Sequence, residues 1–126
     1  MGRTAGQLSE AERAAYREAW RGRQKAQEAA LRERAARALA DARQAARMLR
    51  EEFGARRLWL FGSLARGRFG PGSDVDLAVE GVVGSHLLRA HARVQGLFVD
   101  VLVDLLAVED AGPALLRVIE GEGIPL

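Results

Sequence analysis

The sequence has no cysteine, one lysine, one tyrosine, two tryptophans and three prolines in 126 residues. The missing cysteine excludes disulfides, thiolate metal sites and a cysteine nucleophile, and fits a reducing compartment. No apolar run approaches the roughly 20 residues a membrane-spanning helix needs, and the Ala/Arg/Glu-rich N-terminus lacks the apolar centre of a signal peptide. A cytoplasmic protein with no membrane partner is expected. The phosphate loop Gly-x4-Gly-Lys-Ser/Thr and the dinucleotide fingerprint Gly-x-Gly-x-x-Gly are both absent, as are internal repeats and low-complexity tails.

The formal charge of +2 and pI near 9.9 hide an uneven division. Residues 1–53 carry twelve Arg or Lys against eight acids, and residues 54–126 carry seven against nine. The basic N-terminal residues are interleaved with Glu at helical spacing and have few aromatics among them. They read as a solvated helix face, and nucleic acid is not expected as a partner. A length of 126 residues suits one domain with a modest core.

Ser9-Glu10-Ala11-Glu12 has the form of a capping box, so a helix is expected from about Glu10. Gly22 interrupts it weakly, leaving one long helix or two consecutive ones. Leu31, Ala35, Ala38, Ala42, Ala45 and Leu49 alternate spacings of four and three, the seam of a helix that packs lengthwise. Tyr16 and Trp20 share a face further upstream. Together with the seam they lead us to expect a homo-oligomer formed through the N-terminal helices.

Gly54 should end the helix, and Arg57 to Phe61 reads as the first strand. Gly62-Ser63 turns out of it, Leu64 to Arg68 forms a helical turn, and Phe69-Gly70-Pro71-Gly72 is a loop. Asp74 to Val79 reads as the second strand. Ser85 caps a helix that Gly96 stops, Phe98 to Val103 reads as the third strand, and Pro113 opens a last helix ended by Gly121.

The stretch Leu60 to Glu80 carries the chemistry. In an extended run, Asp74 and Asp76 project from one face and Val75, Leu77 and Val79 from the other. Two carboxylates on one sheet face repel, and a divalent cation relieves that. Gly62 lets the backbone approach a ligand closely, and Ser63 adds a hydroxyl donor suited to phosphate. His86 and His91, five apart on a helix, face different ways and do not form a metal pair.

Gly62, Ser63, Ala65, Arg66 and Gly67, followed by Ser73, Asp74, Asp76, Leu77 and Val79, fill every fixed position of Gly-Ser-x-Ala-Arg-Gly … Ser-Asp-x-Asp-Leu-x-Val. The stretch resembles the minimal nucleotidyltransferase (MNT) branch of the DNA polymerase β-like nucleotidyltransferase superfamily. The resemblance covers about Ala35 onward. It implies an α+β two-layer domain at 35–126, with a small mixed sheet and helices on one face, preceded by a helical extension at 1–34.

For the site, the resemblance implies Asp74, Asp76 and a third carboxylate as catalytic and metal-binding residues. Gly62, Ser63 and Arg66 would bind the nucleotide. Both Asp100 and Asp104 fit the third position by strand parity, and Asp100 is preferred because Asp104 lies about 13 Å further along an extended chain. Two Mg2+ ions about 3.5–4 Å apart would stabilise the attacking and leaving oxygens, with ATP the expected substrate.

The implied activity is transfer of a nucleoside monophosphate, AMP from ATP, to a hydroxyl. Larger relatives carry a helical acceptor-binding domain after the core, and about 22 residues follow the expected third strand here, so a partner is expected to supply the acceptor. Family members of this size often pair with a small helical HEPN protein, so the resemblance implies the antitoxin of a HEPN/MNT toxin-antitoxin pair. A non-catalytic antitoxin or assembly subunit, and a subunit of an aminoglycoside-type small-molecule nucleotidyltransferase, are the alternatives.

Overall fold

The computed structural model describes residues 8–126. Its elements are α1 (Glu10–Phe53), β1 (Arg57–Phe61), α2 (Gly62–Ala65), β2 (Val75–Glu80), α3 (Ser85–Gln95), β3 (Val103–Ala107), a 3-10 turn at Val108–Asp110, α4 (Pro113–Glu122) and β4 (Ile124–Pro125). The chain divides into two compact units, at Glu33 and Arg34.

In the first unit, the Ser9 hydroxyl accepts the Glu12 amide at 3.1 Å, as a capping box requires. Gly22 does not break α1, whose 44 residues form one helix. Arg13 and Arg17 pair with Glu10, and Arg21 with Glu18. These same-face pairs suit a helix that buries little in its own unit. Tyr16 and Trp20 are exposed at 69% and 53%.

The second unit is built on a four-stranded sheet in the order β3-β2-β1-β4. β1 is antiparallel to β2 and β4, and β2 is parallel to β3. The sheet is therefore mixed, and the fold class is α+β. Alternation divides it into two faces. Leu58, Leu60, Val75, Leu77, Val79, Val103 and Leu105 pack with Ala38, Ala42, Ala45 and Leu49 of α1 and Ala90 and Val94 of α3. The later part of the α1 seam is thus spent inside its own domain and is not open for self-association.

Phe61, Ala78 and Ile119 form a second cluster with Trp59, Leu106 and Leu115. These strand residues have the opposite parity, so α4 covers the other face. The expectation of helices on one face holds for α1 and α3 and is corrected for α4. β4, too short to show a pattern in sequence, pairs Ile124 with Leu60 and Pro125 with Trp59.

Several boundaries have visible causes. Gly54, at φ 71°, closes α1, and the Ala55 amide reaches back to the Leu49 carbonyl at 3.1 Å. Gly84 at φ 62°, and not Ser85, precedes α3. α4 runs past Gly121 to Glu122 because that glycine does not need a left-handed conformation. His91 is a packing residue whose ring meets the Val103 carbonyl at 2.6 Å, fixing α3 to β3.

At the far end of β2, Arg57 donates to Glu80 at 2.6 Å and Arg56 at 3.4 Å. The Arg57 hydrogen bond is the main reason the Glu80 carboxyl is held below its ordinary range, and Arg56 acts in the same sense. A depressed carboxylate contributes stability above its ordinary value of 4.5 and loses it as pH falls through the lowered value. The wild type should therefore lose Tm more steeply than Glu80→Gln below that pH, a difference that scanning calorimetry across the acid range reads directly.

Ala42 and Ala45 are fully buried and set the close approach of α1 to the sheet. Ala42→Leu should cost about 1–3 kcal/mol by overpacking. Arg43→Ala, on the exposed face of the same turn, should stay within about 0.5 kcal/mol. Urea denaturation monitored by circular dichroism separates the two.

Candidate active site

β1 ends at Phe61, and the chain turns at once through Gly62, which has φ 76°. A Cβ built on Gly62 would overlap Oδ2 of Asp76. Glycine is needed here twice, for the left-handed backbone and to leave room for a carboxylate. The turn then winds through α2: the Arg66 amide donates to the Gly62 carbonyl at 3.1 Å, and the Arg68 amide to the Ser63 carbonyl at 2.8 Å. Ser73 braces the following loop, its hydroxyl accepting the Gly70 amide at 2.8 Å while its own amide donates to the Gly70 carbonyl at 3.2 Å.

Asp74 is exposed and sits just before β2, while Asp76 is half-buried within it. Asp76 lies opposite Phe61 on β1 and opposite Asp104 on β3. Directly paired residues point to the same face, so Asp76 and Asp104 stand side by side on the face opposite the α1 core, one strand spacing of about 4.8 Å apart. The Asp76 carboxyl is pushed above its ordinary range, first by burial, then by the negative charges of Asp104 and Asp74, with Arg66 pulling it back.

Asp100 does not join this group. β3 begins at Val103, not Phe98, and Asp100 precedes it in a bend with φ 58°. The apolar run Phe98 to Leu102 resembles a strand in sequence, but side chains take up its backbone groups. Gln95 donates to the Val101 carbonyl at 2.8 Å and accepts the Val103 amide at 2.9 Å, and Arg34 donates to the Asp100 carbonyl at 3.1 Å. Asp100 lines a small cleft with Arg34, Arg37, Ala38 and Asp41 of α1, on the side of the sheet away from Asp76.

A signal for Asp104 was present in the sequence. Val75-Asp76-Leu77 recurs as Val103-Asp104-Leu105, and the two tripeptides pair residue for residue. The extended-chain distance that favours Asp100 holds along a single strand, whereas the parallel pairing sets Asp104 opposite Asp76.

Arg66 is half-exposed, and its Nη1 donates to Glu122 at the end of α4, at 3.1 and 3.4 Å to the two carboxylate oxygens. Glu122 had no sequence motif to mark it. Arg34 also holds the loop before β2, donating to the Pro71 carbonyl at 3.2 Å with its guanidinium 5.9 Å from the centre of the Phe69 ring. Among the described residues, no three His, Cys, Asp or Glu side chains gather as a ready metal cage. The oxygen donors of Asp74, Asp76 and Asp104, mutually repelling beside a glycine, nonetheless have the hard-ligand chemistry of a divalent ion that takes the rest of its shell from phosphate and water.

Comparison with known proteins defines the class. The family model for the nucleotidyltransferase domain matches residues 42–125. The chain belongs to that family and is a transferase by class. Within it, a solved structure assigned as a minimal nucleotidyltransferase is 35% identical, with 71% of this chain covering 93% of that one at a TM-score of 0.55.

Two toxin-antitoxin structures share the fold. One, solved with AMP-PNP, has 23% identity and a TM-score of 0.56, with 63% of this chain covering 66% of that one, so this chain spans just under two thirds of its length. The other contains a tri-AMPylated Shewanella oneidensis HEPN toxin with its MNT antitoxin, at 19% identity, 69% coverage of each chain and a TM-score of 0.54. No match was found among curated proteins. Among the described residues, no helix is long and apolar enough to cross a membrane.

Gly62→Ala should cost about 1–2 kcal/mol for the left-handed backbone, plus the clash with Asp76. The Gly62→Ala/Asp76→Ala double variant should recover the clash portion. Chemical denaturation of the two variants and wild type tests this, and equal losses in both would show that Asp76 does not crowd the turn.

Proposed function

We propose that this chain transfers AMP from ATP, with Mg2+, to a hydroxyl on a small helical HEPN-type partner protein. The observation that carries the reading is the in-register pair Asp76 and Asp104, flanked by Asp74 and set against the Gly62 turn, in a chain of the nucleotidyltransferase family. The partner's identity draws on the fold shared with MNT antitoxins bound to HEPN toxins, one of them AMPylated. The nucleotide draws on the AMP-PNP of a related structure.

In the reaction, the acceptor hydroxyl oxygen forms a bond to the α-phosphorus, the bond from that phosphorus to the bridging oxygen breaks, and pyrophosphate leaves. The acceptor proton goes to a base. We assign the third carboxylate's part to Asp104 in place of Asp100, because it stands beside Asp76 and is exposed, where an acceptor can reach it. Asp74, Asp76 and Asp104 would hold the metal, and Asp104 would take the acceptor's proton. When bound, the metal offsets negative charge on the attacking and departing oxygens. Ser63 would donate its hydroxyl to the triphosphate, and Arg66 would offer its guanidinium to the same group.

In this reading a second protein brings the acceptor. Positioning the two reactants contributes effective molarities of about 10⁵–10⁸ M, so transfer without the partner should be slow.

Asp76→Asn and Asp104→Asn should each abolish Mg2+-dependent ATP binding measured by calorimetry, while Asp100→Asn should bind like wild type. Loss with Asp100→Asn and retention with Asp104→Asn would reverse the assignment. Metal-independent ATP binding by wild type would remove the metal from the reading.

A further inference from the structure

α4 ends in an acid, Glu122, where the exposed carbonyls of a helix C-terminus disfavour negative charge. That carboxylate meets Arg66, 56 residues away, which directly follows the Gly62–Ala65 turn of the site. The ion pair is partly exposed, with side chains at 46% and 30%, and such pairs add little to stability. An unfavourable helix terminus joined to a weakly stabilising ion pair points to a role beyond holding the fold.

The Glu122 end of the pair is tied down on both sides. Ile119 is buried under the sheet, the Gly123 amide donates to the Ile119 carbonyl at 2.8 Å, and Ile124 and Pro125 pair with β1 immediately afterwards. At the other end, the Arg66 backbone is tied to Gly62 by its amide at 3.1 Å, but its side chain is long and half-exposed. Nη1 alone reaches Glu122. A guanidinium has five N–H donors in a planar fork, so the donors on Nη2 and Nε stay available to an oxyanion.

We propose that Glu122 is the positioning residue for Arg66, fixing the guanidinium plane so that its free donors meet the triphosphate as it enters beside Gly62 and Asp76. Through Glu122, α4 and β4 become part of nucleotide recognition, although neither carries a motif residue. This rests on the reading above that the site takes Mg2+ and ATP. A planar donor held in advance loses less side-chain entropy when the phosphate arrives, and this is the advantage Glu122 supplies. The positive charge of Arg66 already acts on Asp76, drawing its carboxyl down against burial and its acidic neighbours.

The test is a cycle of ATP affinities, measured by calorimetry with Mg2+, for wild type, Arg66→Ala, Glu122→Ala, Glu122→Gln and the Arg66→Ala/Glu122→Ala double variant. Glu122→Ala should weaken binding about tenfold, the scale of one charge-assisted hydrogen bond. Glu122→Gln, which keeps an acceptor oxygen, should recover part of the loss, and Tm should stay near wild type. In the Arg66→Ala background, Glu122→Ala should change nothing further. Wild-type affinity in Glu122→Ala, or an equal additional loss in the Arg66→Ala background, would overturn the inference while leaving the reading of the site intact. Failure of wild type to bind ATP with Mg2+ would remove that reading and the inference with it.

Discussion

The parallel pairing of β2 with β3 is the contact on which the second unit depends. Val75-Asp76-Leu77 and Val103-Asp104-Leu105 meet in register, so one set of hydrogen bonds buries four apolar side chains under α1 and α3 and sets two carboxylates side by side on the opposite face. A slip of one residue would put the aspartates into the core and the valines and leucines into water. The hydrophobic effect thus fixes the register, and the register builds the site. Core and chemistry cannot be varied independently here.

That arrangement leaves the free protein with an electrostatic cost. Burial and two like charges raise the Asp76 carboxyl, and only Arg66 opposes them. Gly62 supports the crowding by offering no side chain, and its left-handed backbone delivers Ser63 and α2 directly beside the carboxylates. These repulsions disfavour the charged carboxylates in the folded protein, and any positive charge beside them relieves that. Arg66 has an acidic partner of its own in Glu122, so its charge is partly balanced within the fold.

The first unit follows different physics. From Glu10 to Glu33 the helix relies on its Ser9 cap and on Arg–Glu pairs along its surface. In the second unit, α1 has tertiary partners, through Arg34 and through the buried alanines from Ala38 onward. Exposed Tyr16 and Trp20 remain as apolar surface on that helix.

Much of the protein was legible locally. The capping serine, the helix-ending Gly54, the first strand, the Gly62-Ser63 turn and the pairing of Asp76 with apolar neighbours all follow from residue types at short spacing, where backbone geometry and side-chain alternation suffice. The family motif, confined to one contiguous stretch, was readable for the same reason. What the sequence by itself left open was decided by contacts between distant segments. That Asp104 and not Asp100 stands beside Asp76 depended on where β3 starts, and Gln95 and Arg34 hold the loop that precedes it. The placement of α4 on the second face, the short strand β4 and the contact between Glu122 and Arg66 likewise exist only after the sheet has formed, because local residue patterns show which side chains share a face but not which distant face will meet it.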